Sequence, residues 1–184
     1  MSLVSGLKHL YYSYFSKPEQ DRPLYRAIRR TRAKKLLELG VGNGSRASRL
    51  IATAANFGPA HDVRYVGVDL FETRPADAAE GIPLKEAYRR LKATGATVQL
   101  LPGNPFTALA RSANALGAMD LIVIAADQDA DSLERAWFYV PRLLGASTRV
   151  FREIAGDEAN PAQLRELKMA DIETLVAGRG RRAA

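Results

Sequence analysis

Leu36-Leu37-Glu38-Leu39-Gly40-Val41-Gly42-Asn43-Gly44-Ser45 is an apolar run that opens directly into a glycine-rich turn and then into a segment of helical pattern. Glycines at such a turn let the backbone pass close to a ligand, and the helix that follows presents unpaired N–H groups and a partial positive end. The turn suits a nucleotide-like ligand. One unit downstream, Val63-Arg64-Tyr65-Val66-Gly67-Val68-Asp69 ends in a carboxylate. At that place in a doubly wound sheet a carboxylate accepts hydrogen bonds from a ribose diol. Asp69 is therefore the expected ribose ligand, with an ordinary strand-end or turn aspartate as the plainer alternative.

Working outward, short apolar runs alternate with amphipathic stretches from Lys34 onward, the pattern of a parallel sheet with crossover helices. Strands are expected over 35–39, 63–69, 97–101, 120–125 and 148–154, and helices over 45–57, 83–94, 106–116 and 132–143. This is an α/β, Rossmann-like doubly wound sheet of about five mostly parallel strands, in the order 3-2-1-4-5. Residues 161–176 read as one more helix, leaving no room for a C-terminal hairpin. Its last strand would be covered by that helix or, in a homodimer, by a second subunit. The whole of 1–184 reads as one domain: a helical extension over 1–33, the core over 34–154, then a helix and a basic tail over 155–184.

Composition narrows the function classes. The 184 residues include no cysteine, which excludes a disulfide framework, a thiolate zinc site and a cysteine nucleophile. No 18-residue apolar run and no signal-peptide pattern occurs, so the expectation is a cytoplasmic protein without a membrane partner. The net charge of +7 raises a polyanionic partner. Much of the excess lies in Arg22 to Lys35 and in Arg179, Arg181 and Arg182. A solvated helix face and a basic tail explain it better than nucleic acid, because no aromatic-interleaved RNA motif accompanies the charge.

Glu38-x-Gly40-x-Gly42-x-Gly44 resembles the E-x-G-x-G-x-G motif of class I S-adenosylmethionine (SAM)-dependent methyltransferases, in register from about Lys34 to Ile154. A dinucleotide-binding G-x-G-x-x-G turn fits less well, since Ser45 stands where its third glycine belongs. The resemblance implies SAM as cofactor, bound by Glu38, Gly40, Gly42 and Gly44 on the methionine side. It implies Asp69 at the ribose and Asn104, in Gly103-Asn104-Pro105-Phe106, at the adenine edge. Full-length relatives end in antiparallel sixth and seventh strands, which this reading does not find.

Asp120-Leu-Ile-Val-Ile-Ala125-Ala126-Asp127-Gln128-Asp129 resembles the D-x-x-x-x-D-A-D-K motif of catechol and caffeoyl-CoA O-methyltransferases. Ala125 replaces the first loop aspartate, a metal ligand in that family, and a methyl group cannot coordinate a cation. No catalytic metal is expected. Asp127, Asp129 and Asp131 read as cap and first-turn charges of the next helix, with a hard-cation cluster as the alternative. Asp127 stands nearest the strand end, where it would orient an amine or hydroxyl, and is the candidate catalytic residue. The loop over 71–83, with Glu72, Arg74 and Asp77, is a specificity candidate by position. His9 sits with Tyr11, Tyr12, Tyr14 and Phe15, a cluster that packs an N-terminal helix or covers the site. The expected function is methyl transfer to an oxygen or nitrogen of an unidentified acceptor; the alternative is a non-catalytic SAM- or nucleotide-binding protein of the same fold.

Overall fold

The computed structural model describes residues 19–75, 81–156 and 161–178. Its strands are β1 (Lys35–Leu39), β2 (Arg64–Asp69), β3 (Thr97–Pro102), β4 (Met119–Ile124), β5 (Leu144–Ile154) and β6 (Gln163–Leu167). They form one sheet in the order β3-β2-β1-β4-β5-β6, parallel except for β6. The helices are α1 (Arg22–Thr31), α2 (Ser45–Ala55), α3 (Leu84–Lys92), α4 (Pro105–Leu116), α5 (Ala130–Ala136) and α6 (Met169–Gly178). The aromatic cluster around His9, Asp77 and the Arg179–Arg182 tail lie outside the described residues.

Side chains of a strand alternate between faces, so β1 sends Leu37 and Leu39 one way and Leu36 and Glu38 the other. The first set packs with Leu109 of α4, Leu133 of α5 and Ile172 of α6. The second set meets Leu24 and Ile28 of α1 and Leu50 and Ile51 of α2. Both faces of the sheet are thus covered, as the near-continuous apolar runs of β2 and β4 require. Crossovers run to opposite faces on either side of β1 and β4, which leaves a crevice at the carboxyl ends of these two strands.

The expected five strands without a C-terminal hairpin are corrected to six. Gln163-Leu164-Arg165-Glu166-Leu167 consists of good helix formers, and Leu164 and Leu167 are spaced for a helix face. The free edge of β5 outweighs that local preference: β6 pairs with it antiparallel, Val150 opposite Leu167 and Ile154 opposite Gln163. The alternation then places Leu167 in one core layer and Leu164 in the other. The strand, rather than a helix or a second subunit, covers that edge, and α6 starts only at Met169.

One smaller expectation also changes. The helix expected over 132–143 stops at Ala136, and Val140–Leu143 forms a separate 3-10 turn, since Pro141 has no N–H to continue the ladder. Of the aromatics that follow α5, Trp137 is buried, Tyr139 is partly buried against the core, and Phe138 is exposed beneath Arg142. The basic positions Arg26, Arg29 and Arg30 of α1 all face solvent.

The antiparallel register has a direct check in a chain without native cysteine. The double variant Ile154→Cys, Gln163→Cys joins two directly opposite positions, whose Cα atoms in such a ladder lie within disulfide range. Mild oxidation is expected to cross-link it, seen as faster migration on non-reducing gels. A helix beginning at Pro161 would leave the two thiols unjoined.

Candidate functional site

The crevice is built around Gly40, which follows β1 with φ +95°. Its N–H donates to the Val68 carbonyl at 2.8 Å, while Ala125 N–H donates to the Leu39 carbonyl at 2.8 Å. The ends of β2, β1 and β4 are therefore held side by side. A Cβ at Gly40 would lie 2.5 Å from Gln128 Nε2 and 2.6 Å from Ala125 Cβ. No side chain fits there, and the backbone of the turn forms the crevice floor.

Asp69 organises this turn. Its Oδ2 accepts from Val41 N–H at 2.7 Å, Gly42 N–H at 2.9 Å and Arg74 Nη2 at 2.6 Å, and its Oδ1 accepts from Phe71 N–H and Arg74 Nε at 2.9 and 2.8 Å. Burial alone would push the carboxyl up. The Arg74 hydrogen bond and the amides of Phe71 and Gly42 outweigh it and hold the group below its ordinary value. Phe71 sits in the left-handed region at φ 49°, a strained conformation for a bulky residue. That turn returns the chain so that Arg74 reaches the crevice, where its Nη1 also donates to Asp127 Oδ2 at 2.8 Å.

On the other side of the turn lies a charged network. Arg46 donates to Asp21 Oδ1 at 3.0 Å and to Glu153 Oε1 at 2.8 Å, and Arg49 donates to Asp21 Oδ2 at 2.9 Å and Tyr25 Oη at 2.8 Å. Glu38 is 1% exposed and takes the Tyr65 hydroxyl on Oε2 at 2.6 Å. Among the described residues its Oε1 has no hydrogen-bond partner, Arg46 Nη1 standing 3.9 Å away, beyond bonding distance. Burial pushes the Glu38 carboxyl up from about 4.5 to about 7, against the lowering pull of Arg46 and the Tyr65 hydrogen bond.

Two cavities follow. One of about 510 Å³ runs along Gly40, Gly42, Glu38, Arg46, Arg49 and Glu153. The other, about 230 Å³, lies between Asp69, Leu70, Pro75, Asn104 and Pro105. They share Asp127, and the Asp69–Arg74–Asp127 bridge stands at their border.

All the residues expected at the site border this crevice except Gly44, which precedes α2 as its N-cap at φ 74° and faces Ile82. Asn104 lines the smaller cavity, and its Oδ1 caps α4 by accepting from Thr107 N–H at 2.9 Å. Asp129 caps α5 through Ser132 N–H at 2.7 Å. Asp127 pairs with Arg74 and Gln128. Among the described residues no three His, Cys, Asp or Glu side chains are grouped to hold a metal ion.

Asp21, Tyr65, Arg46, Arg49 and Glu153 belong to the site without a motif to announce them. A signal exists for two: arginines in the first turns of a helix oppose its dipole and imply acidic partners. Tyr88-x-x-x-Lys92, the spacing of a nicotinamide-dependent catalytic pair, lies on α3 and lines neither crevice cavity. Among the described residues no helix is long and apolar enough to cross a membrane.

No family model and no curated protein matches the sequence. Solved structures do resemble the fold. The methyltransferase domain of the bacterial protein CtHen1-CN is 19% identical with a TM-score of 0.52, over 89% of this chain and 85% of that one. A TehB-like SAM-dependent methyltransferase from Corynebacterium glutamicum is 17% identical with a TM-score of 0.52, over 96% of this chain and 79% of its own. The SAH-bound Podospora anserina methyltransferase PaMTH1 is 18% identical with a TM-score of 0.51, over 80% and 61%. At these identities the likeness is one of fold.

The crowding at Gly40 has a stability consequence. Gly40→Ala adds both backbone strain and overpacking, and a loss of roughly 2–4 kcal/mol is expected, read as the midpoint shift in urea unfolding. An unchanged midpoint would refute the close approach of the β1 and β4 turns.

Proposed function

We propose that this chain, which has the fold of the class I SAM-dependent methyltransferases, binds SAM in the crevice and transfers its methyl group to an oxygen or nitrogen nucleophile. The observation that carries the reading is Glu38, a residue of the larger cavity's lining whose buried Oε1 has no hydrogen-bond partner among the described residues. Leaving a buried carboxyl oxygen unmet costs about 1–3 kcal/mol, and an ammonium group supplies the missing donor to its ionised form. Arg46 and Arg49 line the same cavity and suit a carboxylate. An amino-acid zwitterion, such as the methionine end of SAM, matches that pairing of charges.

The open floor at Gly40 and Gly42 leaves room for the ligand to pass toward Asp69. There Asp69 would hold the ribose diol in place of Arg74, and Asn104 and Pro105 would border the adenine. SAM, held by Glu38, Gly40, Gly42 and Asp69, would supply an activated methyl carbon, its carbon–sulfur pair returning to sulfur as the acceptor's lone pair bonds the carbon and the acceptor proton passes to solvent. The chain's own contribution is positioning and the exclusion of competing water. Asp127, at the junction of the two cavities, orients the acceptor's hydroxyl or amine once Arg74 releases it. The setting is a cytoplasmic protein that works without a metal.

One observation favours the second reading, a binding protein without transfer activity: Arg74 engages the carboxylate assigned to the ribose. Both readings require SAM binding, and only the first yields methylated product. Calorimetric titration with SAM and S-adenosylhomocysteine is expected to saturate, NAD is expected not to bind, and Asp69→Asn is expected to weaken binding at least about tenfold. Absence of SAM binding to the wild-type protein would sink both.

The Glu38 shift gives a second test. Its folded carboxyl titrates near 7 and its unfolded one near 4.5, so between these values the folded chain holds an extra proton and stability falls as pH rises. An ammonium ligand needs the ionised form. Affinity for SAM is therefore expected to rise as pH increases through about 7, and Glu38→Gln is expected to flatten that dependence. A flat profile in the wild-type protein would remove Glu38 from the ammonium site.

A further inference from the structure

Arg152 and Arg165 stand directly opposite each other across the antiparallel β5–β6 ladder. Directly opposed residues project to the same face of the sheet, and like charges in that position repel. Arg152 has no hydrogen-bond or ion-pair partner among the described residues, and Arg165 reaches only Asp171, at 3.4 Å. Asp171 is engaged elsewhere too, accepting from Lys168 N–H at 2.9 Å at the start of α6. Asp171 thus answers one of the two charges, and the pair keeps one positive charge, that of Arg152, which no described side chain balances. The neighbouring cross-strand arginine shows the contrast, since Arg149 donates from Nε and Nη2 to the two carboxylate oxygens of Glu166.

Both arginines line a cavity of about 490 Å³ whose apolar wall is Ile154, Leu167 and Leu175; its two carboxylates are already engaged, Glu153 by Arg46 and Asp171 by Arg165, which leaves Arg152 as its unpaired charge. Ile154 is 51% exposed, a large apolar side chain left open at the mouth. The cavity adjoins the crevice already described, sharing Ala126 and Glu153 with its larger chamber. A volume of this size holds a small molecule.

We infer that Arg152 and Arg165 form an oxyanion site for a small amphipathic acid, a carboxylate or phosphate on an apolar body. Two guanidinium groups facing one cavity match such a group by charge-assisted hydrogen bonds, and the bound anion removes their mutual repulsion. The apolar body lies along Ile154, Leu167 and Leu175. Calling this acid the methyl acceptor rests on the proposed SAM reading; the anion site itself does not.

The test is calorimetric titration of the whole protein with phenyl phosphate, benzoate and a single-stranded RNA oligonucleotide, with S-adenosylhomocysteine titrated in parallel. Arg152→Gln and Arg165→Gln remove one charge each, and thermal melting checks that both variants fold; relief of repulsion is expected to leave their melting temperatures equal or raised. Phenyl phosphate, benzoate or both are expected to bind saturably, at least about tenfold more weakly in each variant. Binding of S-adenosylhomocysteine is expected to stay unchanged. Variants that bind both small acids as the wild type does, or a wild type that binds neither of them at millimolar concentration, would overturn the site. Binding of the oligonucleotide alone would overturn it in favour of a nucleic-acid surface. Small-acid binding lost in the variants, with no S-adenosylhomocysteine binding to any form, would uphold the anion site and refute its assignment to the acceptor.

Discussion

The crevice depends on one carboxylate. Asp69 ends β2, yet its oxygens hold the amides of Val41 and Gly42, which belong to the turn after β1, and the amide of Phe71 beyond its own strand. Donors from two separate loops converge on an anion that is 3% exposed. A neutral or longer side chain at this position would leave those N–H groups unmet or displace them. The glycine turn is thus shaped as much by the strand beside it as by its own glycines, and Arg74 completes the neutralisation that burial of the charge demands.

The larger cavity is held by a different arrangement. Asp21, fully buried ahead of α1, accepts from Arg46 and Arg49 of α2, and Arg46 reaches on to Glu153 at the end of β5. A segment preceding the sheet, a crossover helix and a strand distant in sequence are joined by ionic contacts around one wall. Truncating any member leaves a partly buried charge uncompensated, which costs more than the bond itself.

How much of this was readable from sequence follows from how local each signal is. β1 and β2 are encoded by apolar runs closed by glycine or aspartate, and the crevice between β1 and β4 follows from the alternation of strands and helices. Capping by Asn104 and Asp129 obeys the short-range rule that places Asn or Asp before a helix. Residues 163–167 defeated the reading because their composition favours a helix; only the neighbouring edge of β5 makes them a strand. Glu153, Arg46 and Asp21 were invisible as a group because more than a hundred residues separate Arg46 from Glu153 and no spacing rule spans that distance. Arg74 was legible as a loop residue but not as a bridge, since its reach depends on the left-handed turn at Phe71.

The Arg74 bridge has a kinetic meaning. A ligand that fits one cavity alone meets an open, formed surface and associates at the pace of diffusion and orientation. A ligand extending from Gly42 to Asn104 crosses the bridge, so the guanidinium must first leave both carboxylates. Its arrival then becomes a sequence of docking and opening, and the observed rate levels off with concentration at the opening rate. Selectivity would enter in time as well as in affinity: short fragments of the ligand exchange quickly, and only the full-length molecule is retained behind a contact that must break again for it to depart.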